Sequence, residues 1–321
     1  MKNYSILIIG LLLLVWAKSN AQQQAAFSLY NQFEGIYNPS SVPNEYTDYE
    51  HHFIFGADAR KQWTNLSSAP RTQYLKGEYI TNSDNTFNLL MGGYIVSDKA
   101  GPISTTSVSV RLAGIMSNYD PVMGGFSAGL QLGAIQYRIN TIELHEKYPT
   151  DILTAQSAQS TKPQLGLGIS YYNSFKHGLF SDTKLNAGVS ITQLGFNQQI
   201  FKDDSNEFGL ETDLHYYAYA KIKKAFYSGQ DLEFNTWFRY VKGIPTNFDA
   251  HVIFDINDYF SLELGLNSAG TAHGGVGLNI FDIFGQKDNL MHIGYSFNPS
   301  FLKAGTAFGN THEVNINYSF R

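Results

Sequence analysis

Short stretches of this chain alternate apolar and polar side chains with a period of two, and clusters of Gly, Pro, Asn, Asp and Ser stand between them. Successive side chains of a strand point to opposite faces, so the alternation marks strands with one apolar and one polar face, and the clusters mark turns. The last run is the clearest: Val314, Ile316, Tyr318 and Phe320 alternate with Glu313, Asn315, Asn317 and Ser319. Leu185, Ala187, Val189 and Ile191 alternate in the same way with Lys184, Asn186, Gly188 and Ser190, and similar runs begin at Phe248 and Phe260. The spacing predicts strands near 50–62, 73–80, 86–97, 105–116, 124–138, 162–172, 184–194, 214–226, 232–240, 247–256, 260–267, 273–280, 289–297 and 311–320. That makes about 14, an even number, as a single-chain antiparallel barrel requires.

A water-soluble sandwich would also alternate. Composition and connection lengths decide between the two. Aromatic residues reach 15% while charged residues are only 15%, which suits strands that face lipid on one side and a packed or wet interior on the other. With both termini on the periplasmic side, odd-numbered connections are external and should be the longer ones. Several odd connections are long, 139–161, 195–213 and 298–310, and most even ones are short, 81–85, 227–231 and 257–259; residues 173–183 and 281–288 weaken the pattern without reversing it. A sandwich has no reason to sort its loops in this way. The fold expected is therefore all-β, a transmembrane antiparallel up-and-down β-barrel over 50–321.

The N-terminus agrees with that compartment. Lys2 precedes an apolar run from Ile6 to Trp16, and Ser19-Asn20-Ala21 offers small residues where a signal peptidase cuts. This is the pattern of a cleaved signal peptide over 1–21, and the run is about half the roughly 20 apolar residues that a membrane-spanning helix needs. Residues 22–49 are expected as an N-terminal periplasmic segment. The expected location is the outer membrane of a Gram-negative bacterium, multi-pass, with the lipid bilayer as the first partner. Loss of Lys2 and Lys18 with the signal shifts the formal charge from −5 to −7, a balance that argues against nucleic acid as a partner. With no Cys in the chain, disulfides, thiolate chemistry and a lipoprotein anchor are excluded.

If the apolar faces meet lipid, the charged residues on the other faces point inward. Asp58, Arg60, Lys76, Glu78, Arg111, Lys184, Lys221, Lys223, Glu233, Arg239, Asp249, Asp255, Glu263 and Glu313 make that set, and its signs balance. An ion-selective pore shows a ring of one sign. Balanced charges instead point to pairing, with a cross-strand network of Asp58 and Arg60 with Lys76 and Glu78, in a lumen partly filled by side chains or a loop.

No constellation for catalysis stands out, so no enzyme, cofactor or metal is expected. Adjacent His51 and His52 point to opposite faces of a strand and make a poor chelate. Asp203, Asp204, Asn206 and Glu207 crowd one external loop without the glycine-turn spacing of a calcium loop. Gly274-Gly275-Val276-Gly277 sits inside a strand, with no helix after it to make a phosphate site.

Two stretches resemble a known family. Near the start come Tyr30, Tyr37-Asn38-Pro39, Arg60-Lys61-Gln62-Trp63 and Ala69-Pro70-Arg71-Thr72-Gln73. Near the end come Gly294-Tyr295-Ser296-Phe297 and then Thr311-His312-Glu313-Val314 with Tyr318 and Phe320. This is similar to the PorP/SprF family of type IX secretion system membrane proteins of Bacteroidetes, with its Asn-Pro opening, Arg-x-Gln-Trp, Ala-Pro-x-Thr and closing Gly-Tyr-Ser and His-Glu motifs. The family usually opens with two Asn-Pro pairs followed by Ala and Gly; here Asn31-Gln32-Phe33 and Pro39-Ser40-Ser41 stand instead. The periodicity itself places Arg60 and Gln62 inward, Trp63 at the outer end of its strand where interfacial Trp belongs, and Pro70 in the loop before the second strand.

The resemblance implies a non-enzymatic outer-membrane component of the type IX secretion and gliding machinery. It would support secretion or surface attachment of cargo such as an adhesin by docking that cargo or periplasmic machine proteins, with Asn140 to Thr161 the longest external candidate. The alternative is a solute channel or hydrophobic-substrate transporter. A long N-terminal plug is expected of such a transporter, and only about 28 residues lie between the signal and the first strand.

Overall fold

The computed structural model describes residues 28, 32–81, 86–117, 120, 122–139, 158–178, 180–195, 198–203, 206–211, 213–226, 229–268, 270–285, 287–299 and 308–321, with only the backbone at 158, 198–203 and 206–211. Among the described residues, two short helices come first, α1 (Glu34–Tyr37) and α2 (Asn44–Tyr49). Seven strands follow: β1 (Phe53–Lys61), β2 (Arg71–Ile80), β3 (Phe87–Ala100), β4 (Ile103–Met116), β5 (Gly124–Ile139), β6 (Ala158–Phe175) and β7 (Thr183–Leu194). After a separate hairpin of β8 (Gln198–Asp203) and β9 (Asn206–Glu211) come β10 (His215–Ala225), β11 (Asp231–Val241), β12 (Asn247–Asp255), β13 (Phe260–Asn267), β14 (Ala272–Phe281), β15 (Asn289–Asn298) and β16 (Thr311–Phe320).

Every strand but β8 and β9 joins one closed barrel of fourteen antiparallel strands, in which β1 pairs with β2 on one side and β16 on the other. Closure leaves no unpaired edge, the condition for strands to cross hydrocarbon. The expected strands are all present. The hairpin β8–β9 is an addition inside the connection expected as a loop at 195–213, and β6 begins at Ala158, so the loop expected to run to 161 is shorter. One irregularity bends the wall. The register between β6 and β7 shifts at Leu165/Gly166, and Gln193 opposite it adopts φ 60°, as the extra residue of a β-bulge does.

The two faces of each strand are sharply different. On β16, Thr311, Glu313, Asn315, Asn317 and Ser319 are buried, while Val314 and Ile316 are exposed. Around the wall, Leu75, Ile95, Val110, Leu112, Leu132, Leu167, Ile169, Val189, Phe234, Phe238, Leu264 and Leu266 all face outward. A continuous apolar belt of this kind needs lipid rather than water against it. The core therefore lies inside the barrel, among the polar faces.

Candidate functional site: a filled lumen and the seam that closes it

The described part of the segment expected in the periplasm runs inside the barrel. At the rim that carries the long connections, the Ser28 backbone N–H donates to both oxygens of Glu313, at 3.0 and 2.8 Å. Deeper down, Asn317 Nδ2 donates to Gln32 Oε1, and Ser190 Oγ donates to Tyr37 O at 2.6 Å. At the rim that carries the C-terminus, Arg321 pairs with Glu50 at 3.0 Å. The segment has no strand alternation, but its Phe33, Ile36, Tyr37, Val42 and Tyr46 are at most 2% exposed. Such side chains each gain about 1.5–3 kcal/mol on leaving water.

The wall is built to receive them. Phe33, Ile36 and Tyr37 enter a ring of inward aromatics, Tyr74, Tyr94, Tyr217, Tyr219 and Trp237. Phe33 meets Tyr74 edge-on at 4.9 Å, Tyr37 meets Trp237 at 5.6 Å, and Tyr219 stacks on Trp237 at 4.8 Å. A second cluster seats Val42 and Tyr46 against Ile80, Leu90, Ala113, Ile115 and Tyr172. Aromatic rings with a polar tip suit this face, since they pack against the plug and still find hydrogen bonds.

Charge fixes the segment's register in the lumen. Glu34 on α1 pairs with Lys221 of β10 at 2.6 Å, both side chains nearly buried, and Lys221 also donates to Asn44 Oδ1 at 2.8 Å. Asp48 on α2 takes Lys184 at 2.5 Å and Lys223 at 3.3 Å. Burial pushes the Asp48 carboxyl up, but the two ammonium groups outweigh it and hold the carboxyl at about 2. Arg111 of β4, 2% exposed, pairs with Glu78 at 2.8 Å and donates to the carbonyls of Pro39 and Ser41 at 3.2 and 2.9 Å. It ties wall to plug.

The motif residues divide between plug and seam. Asn38 and Pro39 form the turn after α1. The Asn38 side chain accepts from Ser40 N (3.0 Å) and Ser40 Oγ (2.7 Å) and donates to Ser170 Oγ of β6 (3.3 Å). This turn lies so close to the wall that a Cβ at Gly129 of β5 would stand 2.5 Å from the Pro39 carbonyl. Ser40 and Ser41, which stand where the family's opening differs, thus hydrogen-bond within the turn, with Ser41 Oγ donating to Asn38 O at 2.9 Å.

Arg60 and Glu313 face each other across β1 and β16 at 3.5 Å, and Lys61 stands opposite His312. In β15, Gly294 lies opposite Asn315 and Ser296 opposite Glu313, and the Tyr295 hydroxyl lies 2.8 Å from His312 Nδ1. The N-terminal and C-terminal motifs, distant in sequence, therefore meet where the barrel closes. Phe320 stacks on Phe53 at 4.9 Å across the same seam. At the long-loop rim, Trp63 (φ 54°) lies 5.9 Å from Phe308, Gln62 N donates to Pro70 O, and Thr72 donates to Asp98 at 2.6 Å.

The network of Asp58 and Arg60 with Lys76 and Glu78 does not form as a unit. In the β1–β2 register Asp58 stands opposite Tyr74, Arg60 opposite Thr72, Gly56 opposite Lys76 and Ile54 opposite Glu78. Arg60 turns to Glu313 on its other neighbour, and Glu78 to Arg111 two strands away. His51 and His52 lie just before β1 rather than on it, and both are buried, His51 beside Ser319 Oγ and His52 beside the Ile80 carbonyl and the Tyr46 ring. The side chains of the acidic 203–207 loop, and residues 140–157, lie outside the described residues. Among the described residues, one group of metal-ligating side chains converges: His251, Glu263 and His273. They lie 12 and 10 positions apart on three strands, so only a shared inward face marks them in the sequence.

A closed antiparallel barrel with an apolar belt, a polar lumen and its own N-terminal segment inside is an outer-membrane barrel protein. The family model described as type IX secretion system membrane protein PorP/SprF matches residues 19–318, and the chain belongs to that family. It is an outer-membrane component of type IX secretion. Among solved structures, the fold is similar to a Pseudomonas aeruginosa FadL homologue, with a TM-score of 0.52 and 6% identity over 88% of this chain and 92% of that one. It is also similar to the deltaS2 mutant of the TodX monoaromatic hydrocarbon channel, with a TM-score of 0.51 and 9% identity over 89% and 93%. A search of the curated proteins finds no match.

Proposed function

We propose that the barrel serves type IX secretion as a docking component, binding secreted cargo or periplasmic machine proteins at its rims rather than passing solute through its lumen. The observation that carries this reading is the filled lumen. Glu34, Asp48 and the Pro39 and Ser41 carbonyls are held by Lys221, Lys184, Lys223 and Arg111 of the wall. A partner then finds its surface in the connections, and 140–157 with the β8–β9 hairpin is the largest stretch at the long-loop rim. The same rim places Trp63 and Phe308, both exposed, beside each other, and exposed aromatics are frequent interface anchors.

The test is affinity capture of the tagged barrel from native membranes, with a variant in which 140–157 is replaced by a short turn. Recovery of a secreted cargo protein or a periplasmic ring protein, lost in the shortened variant or in one with trimmed C-terminal-rim turns, supports docking. Absence of both from every capture refutes it. The channel reading is favoured by one observation: a plug fits into the short segment before β1, which removes the length objection to a plugged transporter. Steady uptake of a hydrophobic solute in liposomes, lost on deletion of the barrel, would establish that reading instead.

A further inference from the structure

On the lumen wall opposite the plug's anchor in β4, three side chains converge from three consecutive strands. His251 Nδ1 of β12 and His273 Nε2 of β14 lie 3.1 and 3.3 Å from the same oxygen of Glu263 on β13. The two rings are 4.8 Å apart between centroids. All three side chains are nearly buried, at 2%, 7% and 13% exposure for His251, His273 and Glu263.

The backbone makes room for this approach. Gly265 stands between the two histidines in the register, opposite His251 on one side and His273 on the other. A Cβ at Gly265 would lie 2.0 Å from His273 Cε1 and 2.5 Å from its Nε2, so any side chain there would occupy the space the imidazole uses. Glu263 also differs from most lumen carboxylates in its partners. Glu34, Asp48, Glu78, Asp249, Asp255 and Glu313 each pair with a Lys or Arg. Among the described residues, the ion-pair partners of Glu263 are the two imidazoles.

We propose that His251, Glu263 and His273 bind a divalent cation of the zinc class. Two imidazoles and one carboxylate are a donor set that zinc takes, with an open position completed by water. The three ligand atoms lie within 4.8 Å of one another. In a tetrahedral site with bonds of about 2.0–2.2 Å, ligand atoms sit roughly 3.3–3.6 Å apart; both His–Glu separations are close to that edge length, and the widest separation, up to 4.8 Å, closes toward it as the ion binds. A cavity of about 120 Å³ lies against Glu263. The bound ion would cross-link β12, β13 and β14 through side chains, on the wall away from the β1–β16 seam.

The experiment uses the full chain in detergent, stripped with a chelator and titrated with Zn²⁺ by calorimetry and with Co²⁺ by visible absorption. One equivalent is expected to bind, with tetrahedral Co²⁺ bands. His251→Gln and His273→Gln, which keep a donor for Glu263, should each weaken binding at least tenfold and together abolish it. Gly265→Ala, which leaves every ligand in place but displaces the His273 ring, should also weaken it. His292→Gln, a lumen histidine on β15 outside the trio, should not change it. Heat-modifiable gel migration checks that each variant is a folded barrel. A folded wild-type barrel that takes up no Zn²⁺ would show a hydrogen-bonded trio and nothing more, and Zn²⁺ binding that survives the double His→Gln variant would place the ion elsewhere; either result overturns the proposal.

Discussion

Glu34→Gln is the most informative single change to the plug. It removes the carboxylate that lies 2.6 Å from Lys221 and leaves a buried ammonium facing a neutral amide. Removing one member of a buried ion pair costs about 3–5 kcal/mol. Asn44 Oδ1 still accepts from Lys221 at 2.8 Å, so the lower end, about 3 kcal/mol, is the expected loss. When the plug is unseated Lys221 is hydrated again, so the cost falls on the seated state alone. The ratio of seated to unseated plug should therefore drop roughly a hundredfold, at about 1.4 kcal/mol per factor of ten. The chain has no Cys, so a single Ser41→Cys substitution, at a site 2% exposed, reports unseating through its reaction with an impermeant maleimide. Glu34→Gln should raise that labelling rate by about two orders of magnitude. Adding Lys221→Met removes the orphaned charge and should bring the rate back toward the parent value. Equal labelling of parent and Glu34→Gln would refute the assignment of Glu34–Lys221 as a plug anchor.

Further expectations come from the same contacts. Gly129→Ala puts a methyl 2.5 Å from the Pro39 carbonyl; it should raise Ser41→Cys labelling as Glu34→Gln does while the barrel keeps its heat-modifiable migration. Arg60→Met leaves Glu313 with no exposure and no guanidinium, and should lower barrel stability by about 3 kcal/mol, read as a lower denaturation temperature on the same gels. The Asp48 carboxyl is held below its ordinary value, at about 2, so its stabilisation of the seated plug is fully present above about pH 4 and is lost as the pH falls toward 2. Pepsin cleavage of the N-terminal segment, normalised to an unfolded substrate at each pH, should accordingly be slower at pH 4 than near pH 2, with a smaller difference in Asp48→Asn.

The barrel was legible because its information is local. Strands such as 260–267 and 311–320 carry their period of two in every pair of residues, and lipid outside with polar groups inside leaves that pattern uninterrupted. Strand ends were less so. Near the start of β6, Gln159, Ser160 and Thr161 are polar on both faces and read as loop, yet they pair with Arg138, Tyr137 and Gln136 of β5. The β8–β9 hairpin lies off the barrel, and its six-residue strands give too short a run to distinguish from a loop.

The lumen was legible only in part. The inward charges could be read from the pattern, but their pairing depends on register, which offsets Arg60 from Glu78 and sets it opposite Glu313. The plug escaped the pattern because α1 and α2 are a single turn and a turn and a half, too short for helical periodicity to show. Its signals were indirect: Phe33, Ile36, Tyr37 and Tyr46 before the first strand, and inward Tyr and Trp on a face otherwise polar.

A plugged barrel that works in type IX secretion by docking at its rims should be needed for cargo export whether or not its plug is firmly seated. Quantitative proteomics of the culture supernatant and cell surface, comparing the parent strain with a clean deletion and with a deletion complemented by Glu34→Gln, tests this most directly. The deletion should lose at least one type IX cargo from the surface or medium, and the plug variant should restore it. Full secretion of every type IX cargo in the deletion, together with loss of uptake of one nutrient, would contradict this role.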